Sequence, residues 1–129
     1  MNVVDSSAWL EYFADSDQAE YFAPPIEDIG NLIVPVICIY EVFKKLLQTH
    51  GQTVAEVRIA DMFKGKVVDL TSNMALNAAL LSVQYHLPMA DSLILSTAQE
   101  YNATLWTEDE HFQGIAGVRY FDKKAKRDG

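Results

Sequence analysis

Apolar residues along this chain follow two rhythms. Short runs at 2–4, 31–35, 67–70, 103–107 and 118–121 alternate with longer stretches whose apolar positions recur every three to four residues. The runs predict strands and the stretches predict helices. "SSAWLEYFAD" puts Trp9, Leu10 and Phe13 on one side of a helix, and "DQAEYF" stays helical up to Pro24-Pro25. "VICIYEVFKKLLQTHG" predicts the clearest helix. Its stripe is Val36, Ile39, Tyr40, Phe43, Leu46 and Leu47, and Gly51 stops it. "TVAEVRIADMFKGK" predicts a helix ending near Gly65, and "TSNMALNAALLSVQYH" one with good capping residues at its start. Pro88 opens the helix "MADSLILSTAQEYN", and "EDEHF" predicts a short helical turn. Short strands alternating with long helices mean βαβ units. The predicted fold is α/β, a mostly parallel five-stranded sheet with helices on both faces.

Composition agrees with one folded domain. The chain has 129 residues, 50% hydrophobic and 22% charged, with no repeat, low-complexity block or Gly/Ser linker. No apolar run reaches the roughly 18 residues of a membrane helix. "MNVVDSSAW" lacks the basic-then-apolar order of a secretory leader, and Cys38 is the single Cys. A cytoplasmic protein without disulfides is therefore expected. The net charge of −8, from 10 basic and 18 acidic residues, argues against binding nucleic acid through bulk charge. The one basic run, "KKAKR" at 123–127, lies in a tail at 123–129 that reads as solvated and frayed, or else as an RNA or partner contact.

In open parallel sheets, ligands sit outside the carboxyl ends of the strands. Asp5 follows the first strand, and Glu108, Asp109 and Glu110 follow the fourth, so all point to the same sheet edge. Other chemistries lack their parts. No G-x-G-x-x-G, P-loop or G-x-S-x-G is present, and no His/Cys cluster has zinc spacing. His50, His86 and His111 each sit late in or just after a predicted helix, where a cation suits the dipole. A haloacid-dehalogenase phosphatase would want Asp where Ser7 stands. Carboxylates remain. Several brought together raise one another's pKa and stay ionised only beside a cation. Oxygen ligands without thiolate or imidazole select Mg²⁺ or Mn²⁺.

Three segments carry a resemblance: "VVDSSAWLEYF", "PVICIYEVFKK" and "LPMADSLILSTAQEYNATLWTEDEHF". Together, in order and over nearly the whole chain, they resemble PIN-domain proteins, and more narrowly the VapC-type ribonuclease toxins of prokaryotic toxin–antitoxin pairs. The segment Asp91 to Phe112 is the specific part. It joins an Asp-started helix, a short strand and T-x-D-x-x-F. The resemblance implies a sheet sandwiched by helices and a Mg²⁺/Mn²⁺-dependent endoribonuclease. It matches the family's acids to Asp5, Glu41, Asp91 and Asp109, with hydroxyl support from Ser6, Ser7 and Thr107. Asp5, Asp91 and Asp109 would serve the metal, and Glu41 the attacking water. It also implies an RNA substrate, a cognate VapB-type antitoxin gripped by the first helices and the "TVAEVRIADMF" helix, and a homodimer.

Each position also has an ordinary reading. Asp5 and either Ser cap a helix equally well. Asp91 suits a helix start by charge alone. Glu108 or Glu110 competes with Asp109 for its place. Glu41 lies roughly opposite the stripe of Val36, Tyr40, Phe43 and Leu47, four residues before Lys45, so periodicity puts it on the surface. Two rivals to the ribonuclease follow: a non-catalytic interaction module on the same fold, and an aspartate-based phosphatase.

Overall fold

A computed structural model of the chain describes residues 1–123. Five strands form one sheet: β1 (Asn2–Val4), β2 (Leu32–Pro35), β3 (Lys66–Val68), β4 (Thr104–Thr107) and β5 (Val118–Tyr120). Their order is β3-β2-β1-β4-β5, and every pairing is parallel. Six helices connect them: α1 (Ser6–Phe13), α2 (Ala19–Glu27), α3 (Val36–His50), α4 (Gln52–Met62), α5 (Ser72–Tyr85) and α6 (Met89–Glu100). The α/β architecture expected from the alternation is the one observed.

The order of strands fixes where a ligand can bind. From β1 the chain moves outward through β2 and β3, then crosses back and adds β4 on the other side of β1. The crossovers therefore diverge between β1 and β4, leaving a crevice at the carboxyl ends of those two strands. β1 and β2 are short and almost wholly buried, with Val3, Val4, Ile33 and Val34 at most 1% exposed. α6 packs across β1, β2 and β4, α5 packs on α6, and α1 packs against α2 and α3. Gly65 lies where the chain enters β3. A Cβ there would stand 3.0 Å from the side chains of Leu32 and Val34, so the strand closes tightly only around glycine.

Three local expectations are corrected. Pro24 and Pro25 do not end α2, which runs on to Glu27. The two prolines remove two backbone donors, but the φ that the proline ring fixes is a helical one, so the chain keeps its turn to Glu27. The break comes instead at Ala14–Gln18, around Asp15 with its positive φ of 50°. β3 covers Lys66–Val68, not 67–70. The largest correction concerns α3. Its buried residues are Cys38, Val42 and Leu46, while Val36, Tyr40 and Leu47 are exposed. The helix is turned by roughly a third of a revolution from the expected stripe.

The basic tail expected at 123–129 lies outside the described residues apart from Lys123, whose ammonium is 3.5 Å from Glu11. Among the described residues no helix is long and apolar enough to cross a membrane. Cys38 is buried and free.

Candidate active site

β1 and β4 run side by side with Val4 opposite Trp106, so the residues that follow them emerge together. The first is Asp5, whose N–H still bonds the Trp106 carbonyl at 3.0 Å. Its side chain caps α1, with Oδ1 accepting from the Ser6 N–H at 2.8 Å. Oδ2 accepts from the hydroxyls of Thr107 at 2.9 Å and Ser7 at 3.2 Å. The cap is therefore present, but it uses only one oxygen. The other is held from the far strand, which a cap does not require.

Thr107 ends β4 and is fully buried. Its hydroxyl donates to Asp5 and accepts from the Asp109 N–H at 3.0 Å, linking the two acids through one oxygen. Asp109 caps the 3-10 turn Glu110–Phe112, its Oδ1 accepting from the His111 N–H at 2.9 Å. Phe112, fully buried, anchors that turn to the core. Asp91 enters from the first turn of α6. Among the described residues, the ligand atoms of Asp91, Asp109 and His111 lie within 4.8 Å of one another. Of the three consecutive acids, Asp109 and not Glu108 or Glu110 belongs to that group.

Glu41 faces this crevice as well. It is half-buried, and its Oε1 accepts from the Ser6 hydroxyl at 2.7 Å. The surface position expected from periodicity is corrected by the rotation of α3. With Cys38 and Val42 buried, Glu41 sits at the edge of the packed face and looks toward Asp91. Ser6 and Ser7 thus divide their work, one on Glu41 and the other on Asp5.

The electrostatics follow from this crowding. Burial pushes the Asp5 carboxyl up to about 7, and the charges of Asp91 and Asp109 add to it. The bonds from Thr107 and Ser6 pull the other way. Burial likewise raises Asp91 to about 6, with further push from Asp109 and Glu41 and relief from His111. A cation beside them would favour their ionised forms. Carboxylate oxygens are the donors that Mg²⁺ and Mn²⁺ take, so Asp91 and Asp109, with Asp5 and Glu41 beside them, fit either ion.

His111 is the residue missed in the sequence. His50 does end α3, and His86 follows α5 in a left-handed conformation. His111 instead places Nδ1 3.3 Å from Asp91 Oδ2 and 3.1 Å from Asp109 Oδ1. Asp109, and then Asp91, raise its pKa. The available signal was its place inside T-x-D-x-x-F, directly before the anchoring Phe112.

A parallel sheet with acids gathered at the carboxyl ends of its central strand and that strand's neighbour β4 defines a carboxylate-centred α/β domain suited to divalent cations. The chain belongs to the PIN domain family, which matches it over residues 3–118. Curated proteins include no significant sequence match. Solved structures include many. A toxin–antitoxin complex from Klebsiella pneumoniae is 20% identical with a TM-score of 0.78, covering 92% of this chain and 96% of its own. VapBC2 from Rickettsia felis, bound to a DNA fragment from its promoter, is 15% identical with a TM-score of 0.73, covering 94% and 98%. VapC20 from Mycobacterium tuberculosis, a sarcin–ricin loop cleaving toxin, is 14% identical with a TM-score of 0.67, covering 100% and 95%. At these identities the likeness establishes the fold.

Proposed function

We propose that the chain is a Mg²⁺- or Mn²⁺-dependent endoribonuclease, the VapC-type toxin of a toxin–antitoxin pair, acting in the cytoplasm. The observation that carries this reading is the β1/β4 crevice of a PIN domain, where Asp91 and Asp109 bring ligand atoms within 4.8 Å of each other, Thr107 ties Asp5 to Asp109, and Ser6 holds Glu41. In this reading Asp5, Asp91 and Asp109 hold the cation. Once bound, the cation supplies positive charge against the scissile phosphate and makes water more acidic. Glu41 orients the attacking water and takes its proton, and Ser6 fixes the Glu41 carboxylate for that task. Ser7 and Thr107 hold Asp5 in place. Thr107 also sets the distance between Asp5 and Asp109 through its single oxygen.

Asp5 is ill placed as the nucleophile of a phosphatase. It is 3% exposed, and three donors occupy its oxygens. One similar structure is described as a sarcin–ricin loop cleaving toxin, which makes structured ribosomal RNA the first substrate to try.

Two surfaces support the expected partners. A cleft of about 310 Å³ between α1, α3 and α4 is lined by Leu10, Phe13, Leu46 and Val54, with Arg58 at its side. An apolar antitoxin helix would lay its anchors there. On α5, Leu76, Leu80 and Val83 recur on one stripe and are 69%, 70% and 79% exposed. An apolar stripe of this kind suits a second copy of the chain.

The test is cleavage of total RNA by the purified chain with Mg²⁺ or Mn²⁺. Discrete fragments that vanish with EDTA and with Asp91→Asn are expected. A folded chain that neither binds a divalent ion nor cuts would overturn the reading in favour of an interaction module.

A further inference from the structure

One titratable side chain at the crevice, His111, has no part in the mechanism above. The His111 side chain is more than half exposed, and one edge of its ring is turned to the acids. Its Nδ1 points between Asp91 Oδ2 and Asp109 Oδ1, at 3.3 and 3.1 Å. Its position is set by more than charge attraction. The His111 N–H is bonded to the Asp109 carboxylate, and the next residue, Phe112, is buried with its N–H on the Asp109 carbonyl at 3.1 Å. The turn therefore delivers a ring nitrogen to the same opening that the carboxylate oxygens face.

We propose that His111 donates Nδ1 as a nitrogen ligand to the divalent cation held by Asp91 and Asp109, and thereby gives the site a preference for Mn²⁺ over Mg²⁺. This deepens the metal-dependent reading above and rests on it. Imidazole is a softer donor than carboxylate, and Mg²⁺ keeps its waters and oxygen ligands where first-row transition ions accept nitrogen. An all-oxygen site has no such discrimination. In the tautomer that carries its proton on Nε2, Nδ1 has the lone pair a metal ion takes, and it already faces both carboxylates.

Pulsed electron paramagnetic resonance of the Mn²⁺-loaded chain reads the bond directly, without reference to activity. The expected result is a ¹⁴N coupling to Mn²⁺ that disappears in His111→Ala. Calorimetry should show Mn²⁺ affinity falling about tenfold in that variant while Mg²⁺ affinity stays within about twofold. A His111→Asn variant, which keeps a polar side chain but no imidazole, should behave like the alanine. Because His111 is exposed, both variants should keep the wild-type circular dichroism spectrum. Mn²⁺ bound by the wild type with no nitrogen coupling would overturn the proposal and leave the carboxylate site standing. In that case the ring is a counter-cation that leaves when metal enters. No Mn²⁺ binding at all would overturn the proposal and the metal site together.

Discussion

At the scale of the residue, Asp5 carries the greatest tension. Its carboxyl titrates near 7 in the fold against an ordinary value of 3.8. Between those values the folded chain holds a proton that the unfolded chain has released. Stability of the metal-free protein should therefore fall as pH rises from about 4 to about 7, by something on the order of 4 kcal/mol from this group. Asp5→Asn removes the buried charge and keeps the shape. Thermal melts without metal should show the variant more stable than wild type at pH 8, with the gap closing by pH 5. Saturating Mg²⁺ should raise the melting temperature of the wild type at pH 8 and leave the variant unmoved. An equal response of the two to Mg²⁺ would remove Asp5 from the site. Thr107 gives a second test. Thr107→Val deletes one hydroxyl but strips a partner from both Asp5 and the Asp109 N–H. Urea unfolding should show a loss of about 1–3 kcal/mol. Strand ends in a parallel sheet pointed to Asp5 and to the acids at 108–110, and the T-x-D-x-x-F resemblance singled out Asp109 among them. His111 was not legible, because a histidine beside acids has the same spelling whether it faces them or water.

At the scale of the element, α3 marks the limit of periodicity. Its existence and its ends were readable from apolar spacing and Gly51. Its rotation was not, since Ile37, Cys38 and Val42 lie off the expected stripe and make the first turns apolar nearly all round. Packing against the sheet then chose the face led by Cys38, Val42 and Leu46, which small and branched residues let approach closely. That choice is what brings Glu41 to the Ser6 hydroxyl. Adjacent leucines test it. Leu46 is 5% exposed and Leu47 40%. Leu46→Ala should destabilise by about 2–5 kcal/mol, in the range of buried leucines, and Leu47→Ala by less than about 1. Denaturation midpoints in the reverse order would mean that the face led by Cys38, Val42 and Leu46 is not the packed one in solution. The proline pair in α2 makes the same point more mildly. A proline costs a ladder bond but keeps a helical φ, so it does not by itself mark a boundary.

At the scale of the whole molecule, strand order does what no single motif can. Asp5 and Thr107 stand 102 residues apart and share a hydrogen bond because β4 returns to lie beside β1. Alternation predicted a parallel sheet and the common edge, but not which strands are neighbours, since order depends on the handedness and length of crossovers. The outer layer was the least legible part. Leu76, Leu80, Val83 and Met89 all remain largely exposed although α5 packs firmly on α6. Nothing in their spelling separates a stripe that packs inward from one left for a partner. A second copy meeting this chain at α5 would bury the stripe on both sides of a two-fold axis, so one substitution is felt twice. Leu80→Asp should therefore convert a dimer into a monomer, read as a halved mass by light scattering. Its melting temperature, extrapolated to low concentration, should match the wild type, because Leu80 is 70% exposed and carries no core packing. An unchanged mass in a well-folded variant would move the dimer interface, if the chain has one, off this helix.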